Sequence, residues 1–279
     1  MYRKIKKGTL LLLVGAMLLS VLVLTSGAAG ADRSSAVTLR QGSKTLAVTG
    51  RQIEGKTFVP LRDFTALFTK PTYRYDNTAS AYATLTAPGL VIEAGKGATY
   101  LFANERCLYG VAANRLIDGQ LWVPLNPLAK ALGLTVGGAD TASQRTIAGT
   151  YRALTPASQY YNADELYWLS RIISAESRGE PIRGQMAVGN TVLNRVRSAS
   201  FPNSIWGVIF QRGQFAPVLN GTIYNTPAWS SVTAAKMCLE GYAIDNGTLY
   251  FCNVATSTSS WIVKNRARAF TIGAHTFFY

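Results

Sequence analysis

A duplicated stretch constrains this chain more than any other feature. Arg51-Gln52-Ile53-Glu54-Gly55-Lys56-Thr57-Phe58-Val59-Pro60-Leu61 recurs, 64 residues on, as Arg115-Leu116-Ile117-Asp118-Gly119-Gln120-Leu121-Trp122-Val123-Pro124-Leu125. In each copy an acidic residue and a Gly separate two short apolar runs, which is turn chemistry between paired strands. A Pro follows, and then a short helix over 61–68 or 125–132. Two copies are too few for a solenoid, whose repeats each leave an apolar face for the next to cover. The expectation is one α+β domain with pseudo-symmetric halves over residues 32–140. Gly137-Gly138, Ser143, Gly149-Thr150 and Thr155-Pro156-Ala157-Ser158 then interrupt the hydrophobic pattern, so a linker is expected over 141–161 and a second domain over 162–279.

The start of the chain reads as an export signal, residues 1–31: Arg3, Lys4, Lys6 and Lys7 precede an apolar run over 9–24, and Ala29-Gly30-Ala31 offers a cleavage site. The run is a little short of a membrane span, so the rival is an uncleaved anchor, the sole route to a membrane. A secreted or envelope location follows. The formal charge of +14 is spread: beyond four basic residues in the signal, residues 32–150 hold 13 basic and 8 acidic residues and 151–279 hold 11 and 6. No basic run or zinc-finger pattern points to nucleic acid. Spread basicity suits an anionic envelope polymer, and equally suits solubility alone. Cys107, Cys238 and Cys252 are too few for a disulfide framework; Cys238 and Cys252 pair, or all three are buried thiols. With one His in the chain, no metal and no cofactor is expected, and a monomer is the simplest assembly.

In the second domain, helices are expected at 163–178, 183–198, 203–210 and 227–241. Val188, Val192 and Val196 make an apolar row on the second, where Gly189 allows close approach of a neighbour. Strands over 248–252 and 269–272 bracket a polar loop, 256–261. This domain too is α+β.

Glu176 carries the chemical interest. At about 100° per residue it lies about 20° from Leu169 and about 40° from Ile172 around the helix axis, on the stripe that faces the core. Desolvation there favours the protonated acid, which suits proton donation to a leaving oxygen. Pairing with Arg178 or Arg183 in a purely structural role is the competing reading. Glu180 is a candidate second carboxylate at i+4, although Pro181 pushes it out of the α region. Asp164 and Glu165 read as a cap and first turn, and Glu240 and Asp245 as flanking a loop. Gln214, Phe215, Tyr250, Asn253, Trp261 and His275 are candidates for a substrate groove, because rings offer faces for stacking and amides offer paired donors and acceptors. Phe215 and Tyr250 serve equally as core, and His275 as a satisfied structural residue. No Gly-x-Ser-x-Gly elbow supports serine hydrolase chemistry, and neither Cys238 nor Cys252 opens an electropositive helix end.

Ala175-Glu176-Ser177-Arg178-Gly179-Glu180-Pro181, Gly184-Gln185-Met186-Ala187-Val188, Val192-Leu193-Asn194-Arg195-Val196, Phe201-Pro202-Asn203, Gln214-Phe215 and Ile272-Gly273-Ala274-His275 together resemble the spore cortex-lytic, SleB-type cell wall hydrolases. The resemblance covers roughly 164–279. It implies a lysozyme-like α+β fold, peptidoglycan glycan strands of spore cortex or wall as partner, and Glu176 as catalytic acid. It also implies a lytic transglycosylase, active in germination or sporulation. A muramidase using Glu176 and Glu180, and a wall-binding protein without activity, are the alternatives. The repeated aromatic-Val-Pro-Leu resembles the copper amine oxidase N-terminal-like domain. Residues 32–150 contain no His, so neither copper binding nor oxidase chemistry follows, and an accessory wall-targeting module or a spacer is expected.

Overall fold

The computed structural model describes residues 35–76, 82–256 and 260–279. The expected signal, residues 1–31, lies outside them, as do residues 257–259 of the polar loop. The first half runs β1 (Ser35–Gln41), β2 (Lys44–Thr45), β3 (Gly50–Ile53), β4 (Lys56–Pro60), α1 (Leu61–Ala66), β5 (Thr72–Asp76), β6 (Tyr82–Ala87), β7 (Leu90–Gly95), β8 (Tyr100–Ala103), β9 (Arg106–Tyr109), β10 (Arg115–Ile117), β11 (Gln120–Pro124), α2 (Leu125–Ala131), β12 (Thr135–Gly137) and β13 (Gln144–Ala148).

Each copy of the duplication is a hairpin leading into a helix. Both turns place two residues at positive φ, Glu54 (48°) with Gly55 (74°) and Asp118 (51°) with Gly119 (74°), the type I′ geometry that matches strand twist. The copies pair with each other: β4 and β11 run antiparallel with Val59 opposite Val123, Phe58 opposite Pro124 and Pro60 opposite Trp122. Equivalent residues thus face each other about a local dyad. The same symmetry appears in reciprocal ion pairs, Arg51 with Asp118 and Arg115 with Glu54. Both pairs are exposed, so they report the symmetry and add little stability. These strands lie in an eight-stranded sheet, and β5 to β9 form a separate antiparallel meander. The apolar faces enclose a core that includes Leu39, Val59, Leu61, Phe64, Leu85, Ile92, Leu101 and Leu128.

Residues 141–161 hold β13, which pairs parallel with β1, and α3 (Ala157–Tyr160). The chain then runs α4 (Ala163–Ser177), α5 (Ile182–Arg197), α6 (Ile205–Phe210), α7 (Ala216–Leu219), a 3-10 turn (Thr222–Tyr224), α8 (Trp229–Leu239), β14 (Tyr250–Cys252), α9 (Ser260–Asn265), β15 (Arg268–Ile272) and β16 (His275–Phe278). The cap of α4 is Asn162, whose Oδ1 accepts from the Asp164 and Glu165 N–H groups; Asp164, expected as the cap, sits in the first turn. α4, α5 and α8 meet at Gly189, where an added Cβ would lie 2.7 Å from Ile173 Cδ1 and 2.9 Å from Cys238 Sγ. None of the three cysteines is in a disulfide, so the expected alternative of a Cys238–Cys252 pair is not what the structure holds. Cys107 and Cys238 are buried, and burial pushes the Cys238 thiol up to about 12.

The two halves share buried structure. Cys107 and Tyr109 of β9 join the apolar cluster formed by α4, α5 and α8. Glu240, expected beside a loop, is fully buried at this junction. It accepts from Arg106 Nε at 2.6 Å and Nη2 at 2.8 Å, from Lys130 Nζ at 2.8 Å and from Tyr161 Oη at 2.9 Å. Burial favours the neutral acid, but these donors outweigh it and hold the carboxyl below its ordinary value. Among the described residues, no helix is long and apolar enough to cross a membrane.

Replacing Glu240 with Gln leaves the buried Arg106 without its anion and is expected to cost about 3–5 kcal/mol, read as a lower urea midpoint. Because the folded-state pKa is depressed, the stabilisation is full above the unfolded carboxyl value of about 4.3 and fades as pH falls through the folded value. The deficit of the variant should therefore shrink below about pH 4, and an undiminished deficit at pH 3 would contradict this account.

Candidate active site

Glu176 sits in the last turn of α4. Packing of Leu169, Ile172 and Ile173 into the core turns that face inward, as the period-3.6 spacing requires. α5 enters opposite, and its polar side chains hold the segment that leads into β14. Asn190 donates to Tyr242 O and accepts from Ile244 N–H; Asn194 donates to Asp245 O and Thr248 O; Arg195 Nε donates to Leu249 O at 2.7 Å. β14 is thereby set beside the end of α4.

A cleft of about 900 Å³ opens between them. Its walls hold Glu176, Gln214, Phe215, Tyr250, Asn253, Trp261 and His275, so the structure brings together every expected groove residue. Phe215 is 4% exposed and backs the wall from the core. Tyr250 Oη accepts from Arg266 Nη2 at 3.0 Å, and the Arg266 guanidinium lies 4.5 Å from the Tyr250 ring and 5.1 Å from the Trp261 ring. Trp261, expected in a loop, is on α9 and is 53% exposed. Asn253 Oδ1 accepts from the Ala255 N–H, and the exposed Gln214 also borders the cleft. His275 lies edge-on to Phe251, and burial outweighs the nearby Glu180 to lower its pKa.

Glu180 is not among the residues that line this cleft. Pro181 ends the helical path, and Glu180 Oε2 instead accepts from the Ala274 N–H at 3.1 Å, with Oε1 3.7 Å from His275 Nδ1. That carboxylate fills the space a side chain on Gly273 would need: a Cβ there would overlap Oε2, and Gly273 has φ +57°. Glu180 braces the β15–β16 turn.

No ion pair among the described residues engages Glu176, so the expected alternative of pairing with Arg178 or Arg183 is not what the structure holds. Burial pushes its carboxyl up to about 7, opposed by the charge of Arg195. Arg195 was not among the expected site residues. It is 5% exposed, with three rings around its guanidinium at 5.0 Å (Phe201), 5.2 Å (Phe215) and 5.6 Å (Tyr250), and burial lowers its pKa to about 10. Its spacing from Val188 and Val192 on one helix face was the available signal. A second cleft of about 360 Å³ shares Glu176 as a wall and is otherwise lined from α4 and from the segment 216–226. Among the described residues, no group of three or more His, Cys, Asp or Glu side chains is placed to hold a metal ion.

One carboxyl of raised proton affinity, set between two clefts, is equipped for proton transfer to a bound polymer. The Cell Wall Hydrolase family matches residues 179–278, beginning three residues after Glu176. A spore cortex-lytic enzyme of Bacillus cereus is 40% identical over 117 residues, covering 42% of this chain and 45% of that protein. One from Oceanobacillus iheyensis is 34% identical over 141 residues, 50% of each chain. The solved catalytic domain of the germination-specific lytic transglycosylase SleB from Bacillus anthracis is 38% identical, covering 45% of this chain and 100% of that one, with a TM-score of 0.41. The chain spans about half the length of the curated relatives it matches. The C-terminal region thus carries a cell wall hydrolase domain similar in sequence to the spore cortex-lytic enzymes.

Proposed function

We propose that residues 162–279 cleave peptidoglycan glycan strands, of spore cortex or cell wall, as a lytic transglycosylase with Glu176 as its single acid and base, and that residues 32–140 are an accessory part. The relatives' names support the polymer. The carrying observation is that, among the described residues, Glu176 is the only acid lining the two clefts. Each other acid of residues 151–279 has another place: Asp164 and Glu165 in the first turn of α4, Glu180 on the Ala274 N–H, Glu240 on Arg106 and Lys130, and Asp245 on the Gly247 and Thr248 N–H groups.

Hydrolysis by either common route uses two carboxyl groups, within about 10 Å of each other. One carboxyl suffices when the nucleophile is internal. Protonated Glu176 gives its proton to the glycosidic oxygen between the muramyl and glucosaminyl units, and the C1–O bond breaks. The resulting carboxylate takes the proton of the muramyl 6-hydroxyl as that oxygen bonds to C1, which closes the 1,6-anhydro ring and restores the acid. A pKa near 7 serves both directions of transfer. Arg195 stabilises the carboxylate between the two steps.

Wild-type protein incubated with cortex sacculi should release muropeptides with anhydromuramic ends. Glu176→Gln should lower that rate about 10²–10⁴-fold with an unchanged circular dichroism spectrum. Glu180→Gln should leave the product type unchanged; reducing ends in place of anhydro ends would mean hydrolysis, and wild type that co-sediments with sacculi without cleaving them would mean a binding protein.

The acid step requires protonated Glu176, so kcat/KM should fall as pH rises through about 7. Removing the opposing charge with Arg195→Gln raises the proton affinity of Glu176, and the falling limb should move to higher pH while Arg195→Lys keeps it in place.

Burial of Glu176 also has a stability consequence of opposite sign to that of Glu240. Its folded-state pKa is raised, so the folded protein loses stability as pH rises from about 4.3 to about 7. Glu176→Gln should therefore be more stable than wild type at pH 8, on the order of 1–3 kcal/mol, with the gain absent at pH 4.

A further inference from the structure

The two clefts that meet at Glu176 differ in charge. The larger is walled by rings and amides, and its one deep cation, Arg195, is caged by aromatic rings and bonded to Leu249 O. The smaller holds two arginines seven residues apart, Arg171 on α4 and Arg178 capping its C-terminal end, opposite Asn220, Thr222 and Asn225. Neither arginine is in an ion pair among the described residues. The Arg171 guanidinium carbon sits over Tyr167, 3.6 Å from the ring centroid, a contact that restrains its fork, and its Nε is buried without a hydrogen-bond partner. Glu176 is the only acid in that lining, and Arg195, not this pair, supplies the charge that opposes its raised proton affinity. The two cations are thus left for something outside the chain.

An oriented, unpaired guanidinium beside hydroxyls and amides is suited to a carboxylate, which it takes as a bidentate partner. A glycan strand is neutral along its pyranose rings. Its carboxylates sit on the lactyl arm of the muramyl unit, either at the ends of an attached stem peptide or, where no peptide is attached, on the lactyl carboxyl itself. Resting on the reading of Glu176 as a glycan-cleaving acid, we propose that the cleft of Arg171 and Arg178 is a subsite for the carboxylate borne by the lactyl arm of the muramyl unit beside the scissile bond. The larger cleft takes the neutral sugar on the other side. Such an arrangement sets strand direction, because only one of the two units at the cleaved bond carries the arm.

Binding tests this independently of cleavage. Full-length Glu176→Gln protein, which holds strands without cutting them, is titrated with four forms of one glycan preparation: peptide-bearing, amidase-stripped to the lactyl carboxyl, and each of these with carboxyls capped as methylamides. Capping should weaken binding about tenfold or more in whichever form supplies the anion, and that form identifies the source. Adding Arg171→Gln and Arg178→Gln should bring the uncapped strand down to the affinity of the capped one and leave the capped strand unchanged; Arg171→Lys with Arg178→Lys should restore part of the loss. Equal affinity for capped and uncapped strands, or an equal loss on both in the glutamine variant, would overturn the subsite. Failure of wild type to release anhydro ends would instead overturn the catalytic reading, whatever the binding shows.

Discussion

The site depends on a partly desolvated carboxyl without a cation bonded to it. Bonding to an arginine would lower its proton affinity and make it a structural anion, as happens to Glu240 between Arg106 and Lys130. Free hydration would leave it ionised at neutral pH. Glu176 is in neither condition: the Leu169, Ile172 and Ile173 face of α4 carries it toward the core, and the last turn of that helix releases it into a cleft. The balance between desolvation and the field of Arg195 leaves it near 7, where a proton moves in either direction.

α5 turns that balance into a shaped site. Its buried Asn190, Asn194 and Arg195 donate to backbone carbonyls of 242–249. These bonds satisfy groups that would otherwise be orphaned, and they also fix where β14 begins. From β14 follow Tyr250 and Asn253, and by its pairing with β16 the placement of His275. Glu180 completes the frame by occupying the space over Gly273. The two acids of the Glu176-Ser177-Arg178-Gly179-Glu180 segment therefore divide the work, one facing the cleft and one bracing the turn that carries His275.

Local periodicity made much of this legible. The expected helices at 163–178 and 183–198 lie within a residue of α4 and α5, because both have a continuous apolar face and a capped or Pro-marked start. The position of Glu176 on that face followed from spacing alone. So did the hairpins of the duplication, whose acidic-Gly turns have the required positive φ. What spacing did not reveal is set by distant pairing. Arg106 and Glu240 are 134 residues apart, and nothing local distinguishes them from solvated charges. Arg195 reads as a helix-terminal cation until Leu249 and three rings are seen around it. The convergence of Gln214, Tyr250, Asn253, Trp261 and His275 could not be read from spacing, since they come from separate segments that only tertiary structure assembles.

The most direct test of this account is a titration of the acid itself. Protein labelled with carbon-13 at the Glu side-chain carboxyls gives one resonance per acid, and comparison with Glu176→Gln assigns the signal of interest. The account predicts that this resonance titrates near pH 7. A midpoint at or below the ordinary glutamate value of about 4.3 would show a hydrated or ion-paired carboxylate and contradict it.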